Sequence, residues 1–503
     1  MQSLSRFLGD KRLFKALKIF SNHNLLLFLL FVIILSSRLI LAYNTETFTY
    51  DSYGDLRQIN QIRDYGFHLV NDDLSYGGRS LIVLPFFHYV IGLISIVFPL
   101  SLVLKLLPNI FVSSIVFMIY LIILRINNNK NAALFGAFVG GFTPVLFSET
   151  FTSLSPDTLL IPLIFLFLYS FMRLNNKKHI YLFIFLSVII PFTSLFSIIL
   201  ILTLLIYLIF SKVENFKFTK RAIELTIFFS FFTIWSSLII FKKAFIEYGP
   251  NIISPAVPKS IYSHYFQDLT FGQLFGGVGL LSLVIGTYII YNYLFNYKEK
   301  GVYLFTSLII SSFIFMWFNF IETSLGLMII AVTLSIFVGM YYDIFFRYLK
   351  KTTFFRMKTI FVYLFIGLFM INSVFFSFVL SSNTEVVQKG EIRAMEWANK
   401  NTPKDSTIIA PIEFGNLITS VAMRKNIIDT KFMLAPDKNV RLESIDIIYF
   451  SKYYLYPLRE IDKYGGDYLL IPQGENLDYL NDECFNLVYN KNVKIYRIEC
   501  GVV

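Results

Sequence analysis

Two short segments carry the acids that can do chemistry. Tyr50-Asp51-Ser52-Tyr53-Gly54-Asp55 follows closely on the first long apolar run, and Ser155-Pro156-Asp157 stands just ahead of a later one. A carboxylate beside the end of a membrane helix is held in place, and two of them facing one groove supply a general base, a metal ligand, or both. The plainer reading makes Asp51 and Asp55 solvated loop acids. It makes Asp157 the cap of a helix starting at Thr158, where a carboxylate meets free backbone N–H groups and the positive end of the helix dipole. No other chemistry is legible: the 5 His are scattered, there is no CxxC, no Ser-His-Asp arrangement can be read, and no glycine-rich phosphate loop precedes a basic residue.

The elements that must position these acids follow from composition. Of 503 residues, 56% are hydrophobic, 18% aromatic and only 15% charged, against roughly 45–50% apolar and about 25% charged in an ordinary soluble domain. The 57 Phe and 31 Tyr exceed what globular cores hide, and the apolar residues come in blocks of about 17–25, the length that crosses a bilayer. The chain is read as a polytopic α-helical membrane protein. Its formal charge of +11 gives no weight to nucleic acid, because the Lys and Arg sit in short loops between apolar blocks, where they set orientation. Residues 381–503 differ, with 15 Lys and Arg against 17 Asp and Glu, net −2, which leaves +13 on the first 380.

Arg6, Lys11, Arg12, Lys15 and Lys18 place residues 1–23 in the cytoplasm, and the run from Leu25 to Leu41 reads as an uncleaved signal anchor. If the later basic clusters also stay inside, parity gives about 11 transmembrane helices. The block from Leu81 to Phe98, short and holding Pro85 and His88, then becomes an interfacial or re-entrant helix on the outer face. The expected organisation is a transmembrane domain over 24–380, with external loops at about 43–100, 149–157 and 242–273, followed by an extracytoplasmic mixed α/β domain over 381–503. In that domain β-rich runs (Ser406 to Ala410, Asn426 to Thr430, Tyr468 to Ile471, Val493 to Ile498) alternate with helix-like stretches (Gly390 to Asn401, Arg441 to Ser451). Its two cysteines, Cys484 and Cys500, pair in an oxidising exterior or remain buried free thiols. Lys105, early in the span that begins near Ser101, is expected to snorkel to the outer interface. The third external loop holds Pro250, Pro255 and Pro258, then Tyr262, His264, Tyr265 and Asp268. A long irregular segment at a membrane surface is either a functional lid or an aromatic connector.

The layout resembles the GT-C superfamily of integral membrane glycosyltransferases, most closely the catalytic subunit of oligosaccharyltransferase and its archaeal and bacterial relatives. Asp51-Ser52-Tyr53, with Asn71-Asp72-Asp73-Leu74-Ser75-Tyr76-Gly77-Gly78, is similar to that family's first external loop; Ser148 to Asp157 is similar to its second. Glu413-Phe414-Gly415-Asn416-Leu417-Ile418, running into Ala422-Met423-Arg424-Lys425-Asn426-Ile427-Ile428-Asp429, resembles its C-terminal segment. Three departures stand out. Pro411-Ile412-Glu413-Phe414-Gly415 replaces the family's WWDYG; Asp157 is followed by Thr158 and Leu159 rather than by a second acid one residue on; and Glu322 lies in the region where many relatives carry a phosphate-binding Arg.

The resemblance implies inverting transfer of a sugar or oligosaccharide from a polyprenyl (dolichyl-type) phosphate or pyrophosphate donor to a protein, glycan or lipid acceptor on the extracytoplasmic face. Asp51 is then the general base, and Asp157 orients the acceptor or, with Asp51 and Glu149, holds a divalent cation such as Mg or Mn. Tyr53, Asp55, Arg57, Arg79, Lys105, His264 and Glu413 are the candidate substrate-binding residues. The cation for the lipid phosphate is sought among Arg57, Arg63, Arg79, Lys105, Lys242, Lys243 and Lys259. The main rival is a lipid-linked sugar flippase or transporter, which tends to show internal repeats and midplane ionisable groups, whereas these acids stand at span ends.

Overall fold

The computed structural model describes residues 22–75, 77–216, 219–249, 272, 274–481 and 483–500. The first apolar run becomes α1 (His23–Thr45). After it come α2 (Ser52–Tyr65), a hairpin of β1 (Asn71–Asp72) and β2 (Arg79–Ser80), and the short apolar α3 (Phe86–Val97). α4 (Leu100–Ser113) and α5 (Ile115–Asn127) form the second span, and α6 (Lys130–Gly141) and α7 (Pro144–Thr150), bent by 45° against each other, form the third. α8 (Asp157–Phe171), α9 (Lys177–Thr193), α10 (Ile198–Val213) and α11 (Lys220–Ile240) follow, then the short α12 (Lys242–Tyr248). α13 (Leu280–Asn292), α14 (Lys300–Trp317), α15 (Thr323–Leu349) and the continuous pair α16 (Lys358–Phe369) and α17 (Phe376–Ser382) complete the bundle.

Among the described residues, eight stretches are long and apolar enough to cross a membrane, and the bent pair α6–α7 makes a ninth. If the shorter helices α8 and α9 also cross, the bundle accommodates the about 11 crossings expected from sequence. α3 stays outside that number. It buries Phe87, His88 and Ile91, while Leu93, Ile96, Val97 and the following Phe98 are exposed.

α15 is buried along nearly its whole length and is the hub of the bundle. Helices in a bilayer gain little from hiding apolar surface and associate through close backbone approach at small residues. α6 meets α15 at such a point, where a Cβ on Gly339 would stand 2.9 Å from the Ala132 carbonyl oxygen and 3.0 Å from Gly136 Cα. The Ile123 side chain nearby can shift, but these α6 backbone atoms cannot. Gly339→Leu is therefore expected to cost about 1–3 kcal/mol or more by overpacking. It should shift the protein from a monodisperse to an aggregated peak in size-exclusion of detergent extracts; a wild-type elution profile would show that the two helices can part.

The chain after the bundle forms α18 (Lys389–Asn401), β3 (Thr407–Ile409), β4 (Lys425–Asn426), α19 (Lys438–Phe450), α20 (Leu455–Lys463), β5 (Tyr468–Ile471), β6 (Phe485–Asn490) and β7 (Lys494–Ile498). The sheet order is β4-β3-β5-β7-β6, parallel across the first three strands and antiparallel across the last three. β5 is buried on both faces because successive residues point to opposite sides of the sheet. Ile409, Leu469 and Ile471 pack with Leu442, Ile445 and Leu458 of α19 and α20. Ile408 and Leu470 pack with Ala394 and Met395 of α18 and with Tyr53 of α2. The expected strand over 426–430 is cut short: only Lys425 and Asn426 pair, and the chain then turns at Asp429 to Lys431. Cys484 and Cys500 are disulfide-bonded, which settles the alternative left open by the sequence.

The loop after α1 is built into this sheet. Ser75 bridges Asn426 at the β4 edge, and Asn426 N donates to Leu74 O at 2.9 Å. α2 turns Ser52, Asp55, Gln58, Ile59 and Ile62 inward at helical spacing, so one face of an otherwise polar helix is buried. It lies on α3 where Gly92 admits Ile62; a Cβ there would come within 2.8 Å of the isoleucine.

Candidate active site

Acids from four separate segments meet at one end of the bundle. Asp51 precedes α2, Glu149 ends α7, Asp157 begins α8, and Glu322 precedes α15. Asp157, Asp51 and Glu149 all act electrostatically on Glu322, and Asp55 acts on Asp157. Glu322 is open to solvent yet ringed by protein, so this is a recess and not a flat surface. Loss of water in the recess, with the charges of Asp157, Asp51 and Glu149, pushes Glu322 up to about 8.

Asp51 is also exposed and makes no side-chain cap bond to α2. Desolvation by the surrounding walls raises it above the ordinary carboxylate range. A hydrogen bond from the Thr430 hydroxyl and the charge of Lys431 oppose that rise, while Asp55 and Asp429 add to it. Asp55 has a different fate. It is buried, and its Oδ1 takes both His88 Nε2 and Lys431 Nζ at 2.9 Å. Burial alone would raise it, but Lys431, and after it His88, hold it near about 2.

The second acid-bearing loop is pinned to its surroundings. Arg38, buried in α1, donates through Nη2 to Thr150 Oγ1 at 2.7 Å and through Nε to Asn109 Oδ1 at 2.9 Å. Asn109 Nδ2 in turn holds the Phe151 carbonyl at 3.0 Å. Thr152 Oγ1 donates to Thr47 O at 2.7 Å, and Leu154 N to Ser52 Oγ at 2.9 Å. The last two bonds tie the Glu149–Asp157 loop directly to the residues flanking Asp51, fixing the acids relative to each other.

Several expected substrate contacts are engaged within the protein instead. Tyr53 is buried in the apolar core beside α18. Arg57 pairs with Asp72 at 2.7 Å. Arg79 pairs with Asp429 at 2.6 Å and also donates to Lys431 O at 3.1 Å. Arg63 pairs with the adjacent Asp64. Lys105 is buried, its Nζ donating to Ala42 O at the open end of α1 at 2.6 Å, over the rings of Tyr43 and Phe48. Glu413 is raised by burial, and its charged neighbours are Glu475, Glu385 and Glu391, a group apart from Asp51. His264 and Lys259 lie outside the described residues. Lys242 and Lys243 begin α12, where Lys243 bonds Ser80 of the hairpin and pairs with Glu247.

Four residues of the site carry no weight in the sequence reading: His88, Thr430 and Lys431, with Glu322 noted there only as a departure. The available signal was Asp429-Thr430-Lys431, a polar triplet closing the apolar run Ile427-Ile428. Nothing in the chain order hints that it faces residues 51–55. Among the described residues no group of three or more His, Cys, Asp or Glu side chains is arranged to hold a metal ion, so the structure shows no formed site for the cation expected at Asp51, Asp157 and Glu149.

No family model and no curated protein matches the sequence. Solved structures do match. The archaeal oligosaccharyltransferase AglB from Archaeoglobus fulgidus, in complex with an inhibitory peptide and a dolichol-phosphate, superposes with a TM-score of 0.68 at 13% identity, covering 89% of this chain and 69% of that one. The Archaeoglobus fulgidus enzyme with Zn and sulfate gives 0.58 at 16% identity, over 88% and 67%. ArnT from Cupriavidus metallidurans bound to undecaprenyl phosphate gives 0.53 at 11% identity, over 92% and 97%. A bundle of apolar helices, its acids gathered at one end beside a sheet-containing C-terminal region, and these superpositions agree: the chain has the GT-C fold.

Proposed function

We propose that the protein transfers a sugar or oligosaccharide from a polyprenyl phosphate or pyrophosphate to an acceptor at the outer face of the membrane. One observation carries the reading: Asp51, a raised and accessible carboxylate, stands in a recess that also receives Asp157, Glu149 and Glu322. The basic inner loops and the disulfide favour an exterior position for that end of the bundle. The dolichol-phosphate and undecaprenyl phosphate held by the fold neighbours support the donor class.

In the reaction the acceptor's O–H or N–H gives its proton to Asp51 as the heteroatom attacks the anomeric carbon. The bond from that carbon to the phosphate oxygen breaks, the electron pair leaves with the lipid phosphate, and the configuration at the carbon inverts. Asp157, at the first turn of α8, orients the acceptor. Since the described residues show no formed cation site, no step is routed through a metal. Arg57 and Arg79 are held in internal pairs, whereas Lys242 and Lys243 at the start of α12 are exposed, so among the described residues these two are the proposed contacts for the lipid phosphate. Lys242→Ala with Lys243→Ala should raise the donor KM by roughly tenfold with little change in kcat, as loss of a charge-assisted phosphate contact does; an unchanged KM would remove them from the site.

The pH profile tests the base. Asp51 is raised, so as pH falls it takes up a proton before an ordinary Asp would, and transfer should fail at a pH above the usual value of about 4. Release of polyprenyl phosphate from a short-chain donor, followed across pH, reads this directly. An acid limb at or below about 4 contradicts Asp51 as the base.

A further inference from the structure

The end of the bundle farthest from the recess carries a cavity that takes no part in the reaction above. α15 follows Glu322, in the recess, and ends at Leu349; its 27 residues, at about 1.5 Å each, place its last turn roughly 40 Å away, at the other membrane face. There a cleft of about 490 Å³ opens between the ends of α5, α13 and α15, within the range of small-molecule sites. One wall is a π-helical turn, Tyr293–Tyr297, that continues α13 and sets the rings of Tyr293 and Tyr297 5.0 Å apart. Such turns interrupt helices mostly at functional positions.

The facing wall is basic. Arg347 Nη2 rests on Asp343 Oδ2 at 3.0 Å, and Asp343 Oδ1 also takes a hydrogen bond from Asn129 Nδ2. This pair steadies one side of the guanidinium fork, while 62% of the Arg347 side chain stays exposed, its remaining N–H groups turned outward. Lys351, exposed, lines the cleft beside it. Asp343 is buried and engaged at both oxygens, and Glu299, the other acid of the lining, is exposed, where water screens its charge. The chain leaving α15 is basic throughout, with five cations and no acid from Arg347 to Lys358. The rim identifies the kind of anion. Tyr297 and Tyr348 are exposed at the mouth, and Tyr291 and Phe295 continue the exposed aromatic edge along α13. Amphipathic rings around cations at a helix end are what the headgroup layer of a bilayer favours, and basic clefts between membrane helices suit anionic headgroups.

We propose that this cleft binds the phosphate of an anionic phospholipid from the leaflet opposite the recess. Arg347 and Lys351 meet the phosphate, and the tyrosine rim packs on the glycerol and the first methylenes of the acyl chains. The lipid is bound and not consumed. Seated among α5, α13 and the hub helix α15, it stabilises the bundle by binding the folded state alone.

The test titrates lipids into the full-length protein in a neutral detergent and follows the thermal midpoint. Phosphatidylglycerol should raise the midpoint at a concentration roughly tenfold below that required of phosphatidylcholine, and Arg347→Ala with Lys351→Ala should abolish that preference. Lys177→Ala with Lys178→Ala removes as much charge from exposed positions at the start of α9, outside the cleft lining, and should keep it. Lys351→Glu alone, at an exposed position beyond α15, gives the same reading where the double variant folds poorly. An equal response to both lipids, or an equal loss in the Lys177 and Lys178 variant, would overturn the site and leave only general attraction to a basic surface. Glycerol 3-phosphate matching phosphatidylglycerol would overturn the lipid as occupant and make the cleft a site for a soluble phosphate.

Discussion

Asp51→Asn should lower sugar transfer by about 10²–10⁴-fold, the contribution usual for a positioned general base. Asn has the shape of Asp, but it cannot take a proton at neutral pH. The loss should therefore fall on kcat, with the donor KM close to wild type, since the lipid phosphate does not depend on this side chain. The fold should be unaffected, because the Asp51 side chain is exposed and makes no cap bond. Equal losses in folded yield and activity would instead mean that the residue is structural. The contrast with Asp55 is instructive: four residues on, it is buried between His88 and Lys431 and serves as the mount.

The second large effect concerns stability. Arg79 and Asp429 pair at 2.6 Å with side chains only 2% and 1% exposed. Such a pair contributes little net stability against an apolar replacement, because both ions have left water, but removing one partner strands a buried charge. Arg79→Met should destabilise by about 3–5 kcal/mol, most of which Arg79→Met with Asp429→Leu recovers. The damage should be local at first, since the pair and the neighbouring Ser75 contact to Asp429 at 3.1 Å fasten the hairpin to the C-terminal region. Limited proteolysis that cuts faster near residues 70–80 in the single variant than in the double one is the expected result. Equal cutting in both would mean that hairpin packing, not the buried charge, governs this junction.

Much of the membrane bundle was legible because hydrocarbon allows few solutions. Backbone groups must be satisfied within helices, so a run of apolar residues has one meaning, and the basic loops give parity. The amphipathic position of residues 81–98 came from the same parity argument. The site was only half legible. Asp51 and Asp157 declare themselves by their place beside span ends, while Glu322, at the start of a later span, gives no sign of its company until the helices are packed. Lys431 and Thr430 were hidden for another reason: they lie over 370 residues from Asp51 in sequence and reach it through the Ser75–Asn426 bridge, a long-range pairing that no local pattern encodes. The cations misled in the opposite sense. Arg57 and Arg79 look available in an external loop, yet each already has a carboxylate partner, one of them Asp72 in the same loop and the other Asp429 in the C-terminal region.

The central claim is transfer, as opposed to movement, of a lipid-linked sugar. Purified protein in proteoliposomes supplied with a radiolabelled polyprenyl-linked sugar pool and candidate acceptors gives a direct reading. Label passing from lipid to acceptor in wild type, and lost in both Asp51→Asn and Asp157→Asn, is the predicted result. Label that stays on the lipid but crosses the bilayer in a protein-dependent way would contradict it, and would make the protein a flippase whose loop acids do no chemistry.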